Sequence, residues 1–155
     1  MNKVNVNSED IPLPAWSGKM CGFALKVLEK INRDNWELSI LLCGEKTITH
    51  LNTKYRNKAE PTDILSFNQG ITIQENGKTV YLPGDIAISL DNMRENAVFF
   101  KISEDEELRR LVIHGILHLD GMDHETNNTD EVMLKLQEEI LNSLGNERIL
   151  PGGEN

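Results

Sequence analysis

Apolar residues recur along this chain at the spacings of regular secondary structure, and they divide it into alternating helical and extended segments. After Pro14, the residues Trp16, Met20, Ala24, Val27, Leu28 and Ile31 fall on one helical stripe, leaving Lys19, Lys26 and Glu29 to face water. Within Trp36 to Cys43, the run Leu38-Ser-Ile-Leu-Leu-Cys43 is apolar at nearly every position and ends at Gly44, which predicts a strand covered on both faces. Glu45 to Arg56 returns to helical spacing, with Ile48, Leu51 and Tyr55 on the packed stripe and His50 on another face. Ile64 to Phe67 predicts a short strand, Ile71 to Gln74 and Thr79 to Leu82 a hairpin around Asn76-Gly77, and Ile86 to Ser89 a further strand. Leu90, Met93, Ala97 and Phe100 predict a helix. Ser103-Glu-Asp-Glu106 has the capping-box form that opens another, running to Leu119 with Leu108, Leu111, Val112 and Leu119 on its packed side.

No repeat or Gly/Ser linker interrupts this order, so residues 1–155 read as one domain with loose ends at about 1–12 and 150–155. A hydrophobic fraction of 39% beside 26% charged residues is that of an ordinary globular domain. No apolar run reaches the ~18 residues a membrane span needs, and Met1 to Asp10 is polar and lacks the apolar core of a signal peptide. A cytoplasmic protein without membrane contact is the expectation. Cys21 and Cys43 lie far apart in a helix and a strand, and read as small buried hydrophobes. The net charge of −9 argues against nonspecific binding to nucleic acid, so any RNA must meet a local basic patch.

The candidate chemistry is concentrated near the end of the last helix. His114 and His118 are one turn apart on one face, with Cβ atoms about 6 Å from each other. Gly121 suits the left-handed conformation that reverses a chain after a helix, and the reversal carries Met122, Asp123 and His124 back toward the same face. Three of the chain's four histidines can therefore share one ion; His50 has no such company. Three neutral imidazoles at about 2.0–2.1 Å suit zinc and leave a fourth position for water, the arrangement of a catalytic site. Zinc lowers the pKa of its water from 15.7 to about 7, so hydrolysis is the reaction class. The bland alternative is a histidine cluster facing the helix dipole, which the spacing within eleven residues disfavours.

His114, His118, Gly121 and His124 match the zinc-peptidase pattern HExxHxxGxxH except at its glutamate, the general base, where this chain has Gly115. Read in full, His114-Gly-Ile-Leu-His-Leu-Asp-Gly-Met-Asp-His124 resembles the YbeY family signature HGxLHLxGYDH, with Met122 in place of an aromatic. Leu51-Asn-Thr-Lys-Tyr-Arg56 through Pro61-Thr-Asp-Ile-Leu-Ser-Phe67 is similar to that family's LNxxYRxxxxPTDVLSFP, with Asn68 for the final proline, and Gly84-Asp-Ile-Ala-Ile-Ser89 is similar to GDIxIS. The resemblance spans residues 36 to 144. It implies an α+β fold, a small mixed sheet flanked by helices with a zincin-like metallohydrolase architecture. It also implies one zinc per chain and endoribonuclease activity in ribosomal RNA processing, including small-subunit 3′-end maturation and ribosome quality control. The partners it implies are ribosomal RNA and, beyond it, ribosomal particles or ribosome-associated proteins. A metal-dependent peptidase or amidase, and a noncatalytic zinc-stabilised assembly factor, are the other classes to separate.

Around the ligands, Arg56 ends its helix beside Lys54 and Lys58. Its guanidinium fork suits a phosphate oxygen and the charge that grows during phosphoryl transfer, and it matches the family's arginine. With His114 it is the expected catalytic residue. Ser66 is a candidate for the pocket, and Asp85 and Asp123 are candidates to orient a ligand imidazole through its second nitrogen. Thr62 and Asp63 read as local turn residues, and Asp120 as a solvated turn carboxylate. Attack by water and attack by the RNA 2′-hydroxyl both fit this set.

Overall fold

The computed structural model describes residues 1–129 and 131–152. Its elements, in chain order, are β1 (Lys3–Glu9), α1 (Ser17–Lys30), β2 (Glu37–Cys43), α2 (Glu45–Arg56), β3 (Ile64–Glu75), β4 (Lys78–Ser89), α3 (Leu90–Phe100), α4 (Glu104–Leu119) and α5 (Val132–Ser143). The four strands form one mixed sheet in the order β1-β2-β4-β3, parallel except for the antiparallel β3–β4 pair. The fold is therefore α+β, as expected. Among the described residues no helix is long and apolar enough to cross a membrane.

The expected loose N-terminus is instead a strand. Lys3 to Glu9 pairs residue for residue with Glu37 to Cys43 along the sheet edge. Its outward Lys3, Asn5, Asn7 and Glu9 are polar, as suits an edge, while Val4 is buried. At the strand's end Asp10 turns back, and its two carboxylate oxygens accept from the backbone N–H groups of Gly44 and Thr47. Gly44 has no side chain to cap α2, so the N-terminal segment supplies that cap from a distance. At the other terminus Ile149 is fully buried and Leu150 is tied by its N–H to Asp105; Pro151 and Gly152 are exposed, and the rest of the expected loose tail lies outside the described residues.

The four extended segments read between Ile64 and Ser89 are two long strands. Pro83 and Gly84 lie between the last two of those segments. The ladder shifts register there, pairing Asn68 with Gly84 and Ile71 with Leu82, so that Gln69 and Gly70 stand against Pro83 alone. A bulge places no demand on the missing N–H of a proline. The Asn76-Gly77 turn forms as expected, with φ of +51° and +77°.

Strand alternation divides the core. Ile40, Leu42, Ile86 and Ile88 face α1 and α4, whereas Cys43, Leu65 and Ala87 pack with Ile48 of α2 on the other face. Helix α4 is buried nearly all round. It is capped by Ser103, whose Oγ accepts from Glu106 N at 3.0 Å, and Leu108, Val112, Ile113, Ile116 and Leu117 are each fully buried. Each such side chain contributes about 1.5–3 kcal/mol by leaving water, so α4 is a rigid mount for whatever it carries.

Candidate metal centre and its cleft

The last turn of α4 brings His114 and His118 together, and the chain then reverses as the glycine spacing predicts. Gly121 has φ +91°, its N–H donates to His118 O at 3.0 Å, and Met122 N donates to Leu117 O at 3.0 Å. The reversal returns His124, and one nitrogen from each of the three rings lies within 4.8 Å of the others. Nε2 of His118 is 3.0 Å from Nε2 of His114.

The second nitrogen of every ring faces an oxygen. His114 Nδ1 is 2.7 Å from Gln137 Oε1, His118 Nδ1 is 3.1 Å from Met122 O, and His124 Nδ1 is 2.8 Å from Thr126 O. Carbonyl oxygens only accept, so each Nδ1 carries the proton and each Nε2 is left with a lone pair. Burial, reinforced at His118 by the neighbouring His114, lowers the pKa of both helix imidazoles and favours the neutral rings. Two lone pairs facing each other at 3.0 Å have no proton to share, which is unfavourable until a cation sits between them. The residues therefore fit a single metal ion.

Arg56, Lys58, Ser66, His114, His118 and Asp123 line one cleft of 670 Å³. Nη2 of Arg56 donates to Ser66 O at 2.6 Å and its Cζ lies 5.7 Å from the centre of the Phe67 ring, yet no carboxylate among the described residues pairs with it. Those two contacts hold the guanidinium in place at the cleft wall. Asp123 accepts from the backbone N–H of His124 at 2.8 Å and lies 4.0 Å from His118 Nδ1, so it borders one ring and holds the backbone of the third ligand.

Asp85 does not orient an imidazole. It pairs in register with Phe67 and shares a strand face with Ala87, on the α2 side of the sheet, while the histidines stand on the α4 side. Asp120, expected to be solvated, is held by Arg33 through two contacts of 2.7 and 3.1 Å. Tyr55, expected on the packed stripe of α2, is 55% exposed, with its ring edge-on to Phe67 and Lys54 Nζ 5.2 Å from its centre. His50 is exposed and outside the site, as expected.

Both departures from the family pattern have local explanations. Asn68, where a proline is usual, donates from Nδ2 to His118 O at 3.1 Å and so ties β3 to the end of α4. Met122 serves the site through its carbonyl oxygen, which any residue would offer. Gly115 is where α4 approaches the sheet: a Cβ there would stand 2.9 Å from Ile86 Cδ1 and 3.0 Å from Ile64 Cδ1. A side chain at that position would have to displace both isoleucines.

Sequence reasoning passed over α5 altogether, although it backs two of the three rings. Gln137 meets His114, and Glu131 holds Thr126, whose carbonyl meets His124. The signal was present in Met133, Leu136, Ile140 and Leu141, a helical apolar stripe that carries one amide, Gln137.

Three imidazoles on a helix-and-turn mount, over a cleft whose arginine meets no carboxylate among the described residues, make the arrangement of a metal-binding hydrolase on a mixed α+β sheet. The chain belongs to the Endoribonuclease YbeY family, hydrolases that act on RNA, whose family model matches residues 4–145. It is 44% identical over 142 residues to the Endoribonuclease YbeY of Treponema pallidum strain Nichols, covering 91% of this chain and 89% of that one. The Endoribonuclease YbeY of Treponema denticola is likewise 44% identical, over 90% of this chain and 92% of its own. A solution structure of a Thermotoga maritima protein superposes with a TM-score of 0.62 at 28% identity, over 92% of this chain and 90% of that one.

Proposed function

We propose that this protein is a cytoplasmic, zinc-dependent endoribonuclease that cleaves single-stranded ribosomal RNA, in small-subunit 3′-end maturation and in ribosome quality control. One observation carries the metal: all three Nδ1 atoms are committed to carbonyl oxygens, which leaves the other nitrogen of each ring for one ion, in a group whose ligand atoms lie within 4.8 Å of one another. An all-nitrogen set of three suits zinc and leaves a position open. Zinc bound there supplies Lewis acidity and a water made acidic enough to react near neutral pH. The RNA substrate rests on the names of the relatives and on the cationic cleft wall.

The chain's own residues divide the remaining work. Arg56, fixed by Ser66 O and the Phe67 ring, holds a phosphate oxygen and stabilises charge as it grows there. Lys58 adds a second cation to the wall that the RNA backbone follows. With a net charge of −9 over the whole chain, affinity for RNA comes from this cleft together with ribosomal particles or their proteins. Gly115 weakens the peptidase reading, because the position of the general base has no carboxyl group and packs against Ile86 and Ile64 of the sheet.

The test measures metal per chain and cleavage of ribosomal RNA for the wild type and His114→Ala, with and without a chelator. One zinc per wild-type chain, with cutting lost on chelation and in the variant, is the expected result. Zinc bound by a protein that never cuts RNA overturns the nuclease reading in favour of an assembly factor. End-group analysis of the products separates attack by water from attack by the 2′-hydroxyl.

A further inference from the structure

We propose that Gln137 is a positioning residue that fixes which nitrogen His114 presents to the metal, an inference that rests on the metal reading above. Gln137 is 7% exposed on the apolar stripe of α5, among the buried Met133, Ile140 and Leu141. A buried amide on such a face is costly unless both its ends are bonded. Both are: Oε1 lies 2.7 Å from His114 Nδ1, and Nε2 donates to Glu138 Oε2 at 3.1 Å.

The carboxylate of Glu138 decides which way the amide points. It only accepts, so it takes the NH₂ end and leaves the oxygen for the imidazole. Glu138 is itself clamped, one oxygen by Nε and the other by Nη2 of Arg110, each at 3.0 Å, and Nη2 also reaches Glu106 at 3.0 Å. The Arg110 hydrogen bonds hold the Glu138 carboxyl below its usual pKa, which keeps it an acceptor. Arg110 sits one helical turn before His114 on α4, so the chain of contacts leaves α4, passes through α5 and returns to the next turn.

The three rings differ in how they are held. His118 and His124 use backbone carbonyls that no substitution removes, whereas His114 depends on a side chain. Without that oxygen the His114 ring can turn over or take its proton on Nε2, and either change removes the lone pair from the metal position.

The experiment records the His114 tautomer in the metal-free protein by nitrogen NMR of the imidazole, and zinc affinity by competition with a chromophoric chelator. The wild type is expected to carry the His114 proton on Nδ1. Gln137→Met keeps the bulk without the oxygen; it should lose the single tautomer and bind zinc about 10–100-fold more weakly. Gln137→Glu combined with Glu138→Gln keeps an acceptor for His114 and turns the neighbouring carboxylate into an amide, so that no two carboxylates meet at 3.1 Å; it should restore the Nδ1 proton and bring zinc affinity back to within a few-fold of wild type.

A folded Gln137→Met protein with wild-type tautomer and zinc affinity overturns the proposal. Equal loss of zinc in both variants overturns it too, since packing and not the acceptor would then be responsible. A wild type that shows the tautomer and binds zinc but cuts no RNA leaves this inference standing and removes the nuclease reading alone.

Discussion

At the N-terminal end of α4 the carboxylate of Asp105 is fully buried, and it meets Arg109 Nε at 2.8 Å and the backbone N–H groups of Ile149 and Leu150 at 2.8 Å each. At the C-terminal end of the same helix, His114 and His118 point two lone pairs at each other across 3.0 Å. The first group has every partner it needs within the chain, and it ties the C-terminal segment to the helix. The second lacks the one partner that would make it favourable. Convergent polar groups that the protein satisfies hold structure; convergent groups that it orients and leaves unsatisfied mark where a ligand belongs.

The largest effect should follow from breaking the satisfied end. Asp105→Ala leaves Arg109 and two backbone donors without their acceptor, and loss of one partner of a buried pair costs about 3–5 kcal/mol. Urea denaturation should show this loss, while the fraction that remains folded still takes up zinc. Loss of zinc uptake by folded Asp105→Ala protein would show that the two ends are coupled, and would defeat the contrast drawn between them.

Arg56→Ala acts on the other side of the comparison. It should lower RNA cleavage by about 10²–10³-fold, the range for removing one donor to a developing negative charge, with stability and zinc content near wild type. Arg56→Lys should recover only part of the rate, because one ammonium cannot both hold Ser66 O and grip phosphate as a fork does. A smaller effect, about 1 kcal/mol of stability, is expected for Asn68→Ala, which removes one hydrogen bond to His118 O at the rim of the cleft.

What was legible in the sequence was what neighbours along the chain determine. The spacing of His114 and His118, the reversal at Gly121, the cap at Ser103 and the turn at Asn76-Gly77 each depend on a few adjacent residues, and each forms as read. What escaped depends on partners distant in sequence. Strand β1 is short and mostly polar, and becomes a strand because β2 offers it an edge. Pro83 lies inside a strand because a bulge forms opposite it. Asp85 is a candidate to orient an imidazole from its residue type and its place at a strand start, but its alternation with Ile86 places it on the other face of the sheet. Gln137 requires the docking of α5 on α4 before its amide means anything.

The smallest expected effect lies within the first turns of α4 and divides the structural end itself. Glu107, two residues after Asp105, is 4% exposed but less well served: Asn96 Nδ2 donates to it at 3.1 Å, Arg110 Nη1 stands 3.7 Å away, and Asp63 and Glu106 are near. Burial is the largest influence on this carboxyl and raises its pKa above the usual 4.5, despite the help from Asn96 and Arg110. A carboxyl whose pKa is higher in the folded than in the unfolded chain favours folding below the unfolded value, and loses that advantage as pH rises through the folded one. Glu107→Gln keeps the shape and the acceptor for Asn96 while removing the charge. Its stability relative to wild type should therefore grow from acid toward neutral pH, measured as the difference between the two proteins in denaturant midpoints across that range. A Glu107→Gln variant less stable than wild type at neutral pH would mean that Arg110 outweighs burial, and that Glu107 belongs with Asp105 among the satisfied charges.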